Sequence, residues 1–198
     1  MGYKKRNQSG AGSHAGRGFR YQDAVGVWLA LRCWSQELSY GLVIPEGRDD
    51  YELKGINSSA LVQVKSRRDH MGLFPVSDVV GFVRALWNRY EASSDPSIEL
   101  NLILERPIIH GPKTDYVLTE HSGLVDALQG DACWQLLSSR THIWIVAEPA
   151  EQAIETISDT FPCAPVAAQV YYGELLNHIG GLADENGMVK DGRYEGLA

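Results

Sequence analysis

The run "ALVQVKSRRDH", residues 60–70, decides how the rest of the chain is read. Ala60, Leu61, Val62 and Val64 describe a buried strand, yet Gln63 and Lys65 interrupt it. Side chains alternate along a strand, so Val62 and Val64 face one way while Leu61, Gln63 and Lys65 face the other. An amide and an ammonium group therefore point in the same direction. The strand then runs straight into Ser66, Arg67 and Arg68.

Upstream, "YGLVIPEG" (40–47) reads as a strand ending at Pro45, and "DDYELKG" (49–55) as a second that turns at "KGINSS" into the third. The short connections predict a β-meander. Before it, Ala24, Val27, Trp28 and Leu31 follow the i, i+3, i+4, i+7 pattern of an amphipathic helix over Tyr21–Leu38. Downstream of Pro75, Ser77 and Asp78 predict a capped helix with Val79, Phe82, Val83, Leu86 and Tyr90 on one face. "SIELNLILE" (97–105) alternates as a strand does, residues 122–139 suit one or two short helices, and "THIWIVAE" (141–148) is a further strand. Pro149 opens a helix to Thr160, Pro being tolerated in a first turn. A last helix over Val166–Asp184 carries Val170, Tyr171, Leu175 and Ile179. Strands interleaved with helices predict an α/β fold, a mixed β-sheet flanked by helices.

At 198 residues the chain suits one main domain with a core of its own. Residues 1–18, rich in Gly, Ser and charge, read as a flexible basic arm; 19–185 form the domain; 186–198 read as a linker or tail. The glycines of the arm follow no strand, which discards a dinucleotide fingerprint. No apolar run approaches the roughly 20 residues that span a bilayer, and the N-terminus lacks the apolar segment of a secretory signal. A cytoplasmic protein without membrane attachment is the expectation.

Cys33, Cys133 and Cys163 are few, odd in number and far apart, which predicts buried free thiols rather than a disulfide framework. The six histidines (His14, His70, His110, His121, His142, His178) show no metal-binding spacing. Trp28, Trp87, Trp134 and Trp144 fall on apolar faces and read as core or interface aromatics. The net charge of −7 speaks against nucleic acid, but the distribution does not. Lys4, Lys5, Arg6, Arg17 and Arg20 stand in a stretch with no acid, and Lys65, Arg67 and Arg68 form a second basic cluster. Local clusters decide phosphate contact.

In the strand 50–53, Asp50 and Glu52 share one face. Paired antiparallel with residues 61–65, that face meets Gln63 and Lys65. Mg²⁺ takes hard oxygen ligands, commonly one or two carboxylates with water and substrate phosphate. Asp50 can supply a carboxylate, and the Gln63 side-chain oxygen with the Val64 carbonyl further ligands. Lys65 can hold the attacking water or stabilise transition-state charge. Ser66, Arg67, Arg68 and Arg20 are candidate phosphate contacts.

Asp50, then "LVQVKS", resembles the PD-(D/E)xK nuclease pattern in its Mrr-like form, where Gln replaces the second acid. "GFRYQDAVGVWLAL", "PEGRDDYEL", "LVQVKS" and the following helix together resemble the double-stranded DNA endonuclease domain of CD-NTase-associated antiphage effectors, over residues 18–90. The resemblance implies a restriction-endonuclease-like core, Mg²⁺ or Mn²⁺ as cofactor, and double-stranded DNA as substrate. It further implies a sensor module behind residue 198 and homo-oligomerisation on activation. Asp50 matches the acidic metal ligand, with Asp49 as its rival; Gln63 matches the second ligand and Lys65 the motif lysine. Gln22 matches a first-helix position that relatives turn towards the metal. With Gln at both 22 and 63, one carboxylate is left at the metal unless Glu46 or Glu52 contributes, which puts two-metal coordination in question.

Three rival readings stand beside this. One is a degenerate nuclease fold that binds nucleic acid without cutting it, and another is an interaction domain whose Gln63 and Lys65 lie on a wet edge strand. The third is a nuclease for RNA or single strands. His70 reads as a turn residue rather than a general base.

Overall fold

The computed structural model describes residues 11–45, 50–91, 97–161 and 163–188. Asp49, Glu46 and the first ten residues of the basic arm lie outside them.

The meander forms as expected: β1 (Leu42–Pro45), β2 (Tyr51–Lys54) and β3 (Ser59–Lys65) pair antiparallel in sequence. Helix α2 (Val76–Glu91) then carries the chain over to β4 (Glu99–Leu104), which lies parallel to β3. Parallel neighbours need such a crossover because no tight turn can join them. Past α3 (Ser122–Leu128) and α4 (Trp134–Leu137), β6 (Thr141–Ile145) adds in parallel to β4. The two-residue β5 (Tyr116–Val117) pairs antiparallel with β6 at the far edge. Helices α5 (Pro149–Thr160) and α6 (Pro165–Met188) close the chain. The result is a mixed six-stranded sheet of order β1-β2-β3-β4-β6-β5 flanked by helices on both faces.

Each face has its own core. Leu61, Leu100, Leu102 and Leu104 pack against Val79, Val83, Leu86 and Trp87 of α2 and against Leu124 and Leu128 of α3. On the other face Tyr51, Leu53, Ala60, Val62 and Val64 pack against Val25, Trp28 and Leu29 of α1 (Ala11–Trp34), with Ile157 of α5 and Ile179 of α6. Strands β3 and β4 are buried on both faces, as inner strands of parallel pairs are.

Several expectations shift. α1 begins at Ala11, so the predicted arm is helical over its last eight positions, 11–18. Once a helix is nucleated by packing, each added residue gains a bond, and weak formers such as Gly and Ser are carried along. By the same logic α6 runs to Met188, taking residues 186–188 from the predicted tail. Ser77 and Asp78 do not cap α2. The helix starts at Val76, the Pro75 carbonyl accepts from the Asp78 N–H (3.2 Å), and the Asp78 side chain pairs with Arg67 instead. The cysteines are unpaired but half-buried rather than buried. Of the tryptophans, Trp28 and Trp87 are core while Trp134 and Trp144 pack at its margin. Among the described residues no helix is long and apolar enough to cross a membrane.

Candidate functional site

The register of β2 on β3 pairs Glu52 with Leu61 and Tyr51 with Val62. Leu61, Gln63 and Lys65 consequently share the α2 face of the sheet, as alternation from residue 60 requires. Lys65 Nζ stands 5.5 Å from the centre of the Phe82 ring on α2. Asp50, one residue before β2, reaches the end of β3, because antiparallel pairing brings the start of one strand beside the finish of the next. Its Oδ2 accepts the Val64 N–H at 2.6 Å and lies 3.8 Å from Lys65 Nζ. The acid and the lysine singled out from sequence are therefore brought together.

Gln63 is on the right face but points elsewhere. It is 4% exposed. With its amide nitrogen donating to the Phe82 carbonyl (3.2 Å), its oxygen accepts from Arg89 Nη1 (3.0 Å), and both ends are satisfied by α2. The orientation of an amide is assigned from such a network. In that orientation the Gln63 oxygen meets a guanidinium rather than facing Asp50. Val64 contributes its N–H to Asp50.

Glu52 is buried and its Oε1 lies 3.6 Å from Lys54 Nζ. Gln22 is half-buried, and its main-chain carbonyl accepts from the Tyr51 hydroxyl at 2.8 Å, which ties α1 to β2 beside Asp50.

The basic turn is more structural than its charge suggests. Arg67 packs over Phe74 at 5.3 Å and donates to Asp78 at 3.0 Å and to the Met71 carbonyl at 3.3 Å, so part of the guanidinium expected at phosphate has partners within the fold. Arg68 is half-buried, and its guanidinium has no side-chain partner among the described residues. Ser66 is half-buried beside it and Arg20 is exposed on α1. His70 is exposed in a short 3-10 turn, Asp69–Met71, a turn residue as expected.

Sequence reading passed over one carboxylate. Glu105, just after β4, accepts the Arg67 N–H on its Oε2 at 2.7 Å, beside the exit of β3. Only the parallel register of β3 and β4 brings it there, and no local pattern announces such a pairing.

Of the described carboxylates expected at a metal, Asp50 is the one that stands beside Lys65 at this end of the sheet. Among the described residues no group of three or more His, Cys, Asp or Glu side chains is placed to hold a metal. A cavity of about 380 Å³ lies elsewhere, between Trp28, Arg32, Ile145 and Gln152, and contains none of these residues.

No family model and no curated protein matches the sequence. Among solved structures, the chain is similar to the Cap4 SAVED/CARF-domain containing receptor of Moraxella osloensis, with a TM-score of 0.54 and 11% identity. The match covers 84% of this chain and 43% of that one, so the chain spans less than half of the receptor's length. At this identity the likeness is one of fold.

Proposed function

We propose that the chain is a metal-dependent endonuclease, using Mg²⁺ or Mn²⁺, that hydrolyses phosphodiester bonds of double-stranded DNA as an effector domain in bacterial antiphage defence. The observation that carries this is the Asp50–Lys65 pair, 3.8 Å apart, where β2 begins and β3 ends. The surrounding element order, α1-β1-β2-β3-α2-β4, is the one the PD-(D/E)xK resemblance implies. Fold similarity to part of a longer receptor supports a domain that works beside a sensor module; assembly into homo-oligomers on activation is proposed from the family resemblance alone.

When bound, the cation supplies a water of lowered pKa and neutralises charge on the phosphate. Asp50 holds it. Lys65 Nζ hydrogen-bonds the attacking water and then the developing negative charge. The new bond forms from water oxygen to phosphorus in line with the bond that breaks to the 3′ oxygen; the proton released by the water passes to solvent, and the departing 3′ oxygen takes one from solvent. The products are a 5′-phosphate and a 3′-hydroxyl. Arg68 and Ser66 hold neighbouring phosphates, contacts that fix position without reading sequence. Gln63 anchors β3 to α2.

A panel of end-labelled duplex DNA, single-stranded DNA and RNA, each with Mg²⁺ or Mn²⁺, tests the reading. Cutting of the duplex to 5′-phosphate ends, stopped by chelation and by Lys65→Ala, is expected. Cutting of RNA alone, or cutting that persists in Lys65→Ala, rejects it.

A second reading, a degenerate nuclease fold serving as a non-catalytic nucleic-acid-binding or interaction module, is favoured by one observation: Gln63 is engaged by Arg89 rather than turned to Asp50. It predicts retention of duplex DNA on a filter with no cutting in either metal.

A further inference from the structure

Glu105 grips the end of β3 in two ways. Its main-chain N–H donates to the Lys65 carbonyl at 3.1 Å, and its side-chain Oε2 accepts from the Arg67 N–H at 2.7 Å. One residue thus holds the peptide groups on both sides of Ser66. The second bond is charge-assisted, roughly twice as strong as a neutral one. The phenol of Tyr21, which donates to the Val146 carbonyl at 2.7 Å, senses the same carboxylate: burial first, then the Glu105 charge, pushes its pKa up. Glu105 therefore sits where α1, β3 and β4 meet.

Lys65 needs such a grip. Its ammonium lies 3.8 Å from Asp50, beyond the 2.7–3.2 Å of a hydrogen bond, so the ion pair does not itself fix where Nζ stands. The site of Nζ is set by where the main chain turns after Lys65. That turn is held by the Glu105 carboxylate from one side and by the Arg67–Asp78 pair from the other.

We infer that Glu105 is the positioning residue for Lys65, an inference that rests on the endonuclease reading for its catalytic consequence. Through Arg67 and the Lys65 carbonyl it sets the exit of β3, so that the ammonium faces Asp50 without Glu105 touching substrate.

The test compares the wild type with Glu105→Ala and Glu105→Gln, at a temperature well below the unfolding midpoint of all three. Misplacement by an ångström can cost up to about 100-fold in rate, and Glu105→Ala is expected to lower kcat on duplex DNA by about tenfold or more with KM little changed. Glu105→Gln keeps an oxygen to accept the Arg67 N–H and is expected to restore most of kcat. Wild-type kcat in Glu105→Ala overturns the inference. So does a Glu105→Gln as damaged as Glu105→Ala, because it makes the charge rather than the hydrogen bond the requirement. A wild type that cuts nothing refutes the nuclease reading but leaves a second readout, the rate at which an acylating reagent modifies Lys65. That rate rises in Glu105→Ala and returns to the wild-type value in Glu105→Gln if Glu105 positions the lysine; equal rates in all three proteins overturn the positioning itself.

Discussion

The contacts of Asp50 with the Val64 N–H at 2.6 Å and with the Lys65 ammonium at 3.8 Å are energetically unequal. The ion pair is partly exposed, 27% on Lys65 and 23% on Asp50, and such pairs contribute about 0–1 kcal/mol. Lys65→Ala is therefore expected to leave stability within about 1 kcal/mol of wild type in a denaturant titration. Asp50→Ala strips a nearly buried N–H of its acceptor and is expected to cost about 1–3 kcal/mol. The same scale holds a pH dependence. Burial, only partly opposed by Arg32, pushes the Cys33 thiol from near 9 up to about 11. Between those values the unfolded chain has lost the proton that the folded one keeps, so stability is full below pH 9 and falls as pH rises towards 11. Cys33→Ala is expected to flatten that fall in melts recorded across this range. In the sequence, the meeting of Asp50 with Lys65 was legible because a short turn joins their strands. The fate of Gln63 was not. Its partners, Phe82 and Arg89, belong to a helix beyond the next turn, and periodicity shows that a helix has a buried face without showing which side chain of the sheet that face will meet.

Strong periodicity made the elements readable where they are long. α2 and α5 fall where the i, i+3, i+4 pattern and Pro149 place them, and β3 takes in residues 60–65 of the run that opened the reading. β5 escaped because two residues carry no alternation, and it exists through its pairing with β6. Close approach between elements gives one prediction. A methyl group added at Gly26 of α1 would stand 2.5 Å from the Tyr51 hydroxyl and 2.8 Å from Ile179 Cγ2. Gly26→Ala is expected to destabilise the fold by about 1–3 kcal/mol, the usual cost of overpacking, and a calorimetric midpoint at or above wild type would contradict this. β4 gives another. Asn101 is 1% exposed, and neither its amide oxygen nor its amide nitrogen has a hydrogen-bond partner among the described residues. An unsatisfied buried polar group costs about 1–3 kcal/mol, so Asn101→Leu is expected to raise the denaturation midpoint. A lowered midpoint would mean that the amide is satisfied in solution.

Across the whole molecule, the strand carrying Gln63 and Lys65 is an inner one, between β2 and β4. That removes the reading in which these two residues are the wet face of an edge, since β3 has no free edge to protect. The buried strand ends in Lys65 beside Asp50, with Arg68 just beyond, and the proposed phosphodiester chemistry rests on that meeting. The α/β class followed from the interleaving of strand and helix patterns. The order of strands beyond β3 did not, because parallel pairing is fixed by crossovers that leave no local mark. Cutting of supercoiled plasmid DNA by the purified chain, with Mg²⁺ or Mn²⁺ and with Asp50→Asn and Lys65→Ala alongside, tests the central claim most directly. Nicked and linear products from the wild type alone, abolished by chelation, are the result expected. Intact plasmid at every protein and metal concentration, or equal cutting by both variants, would contradict it.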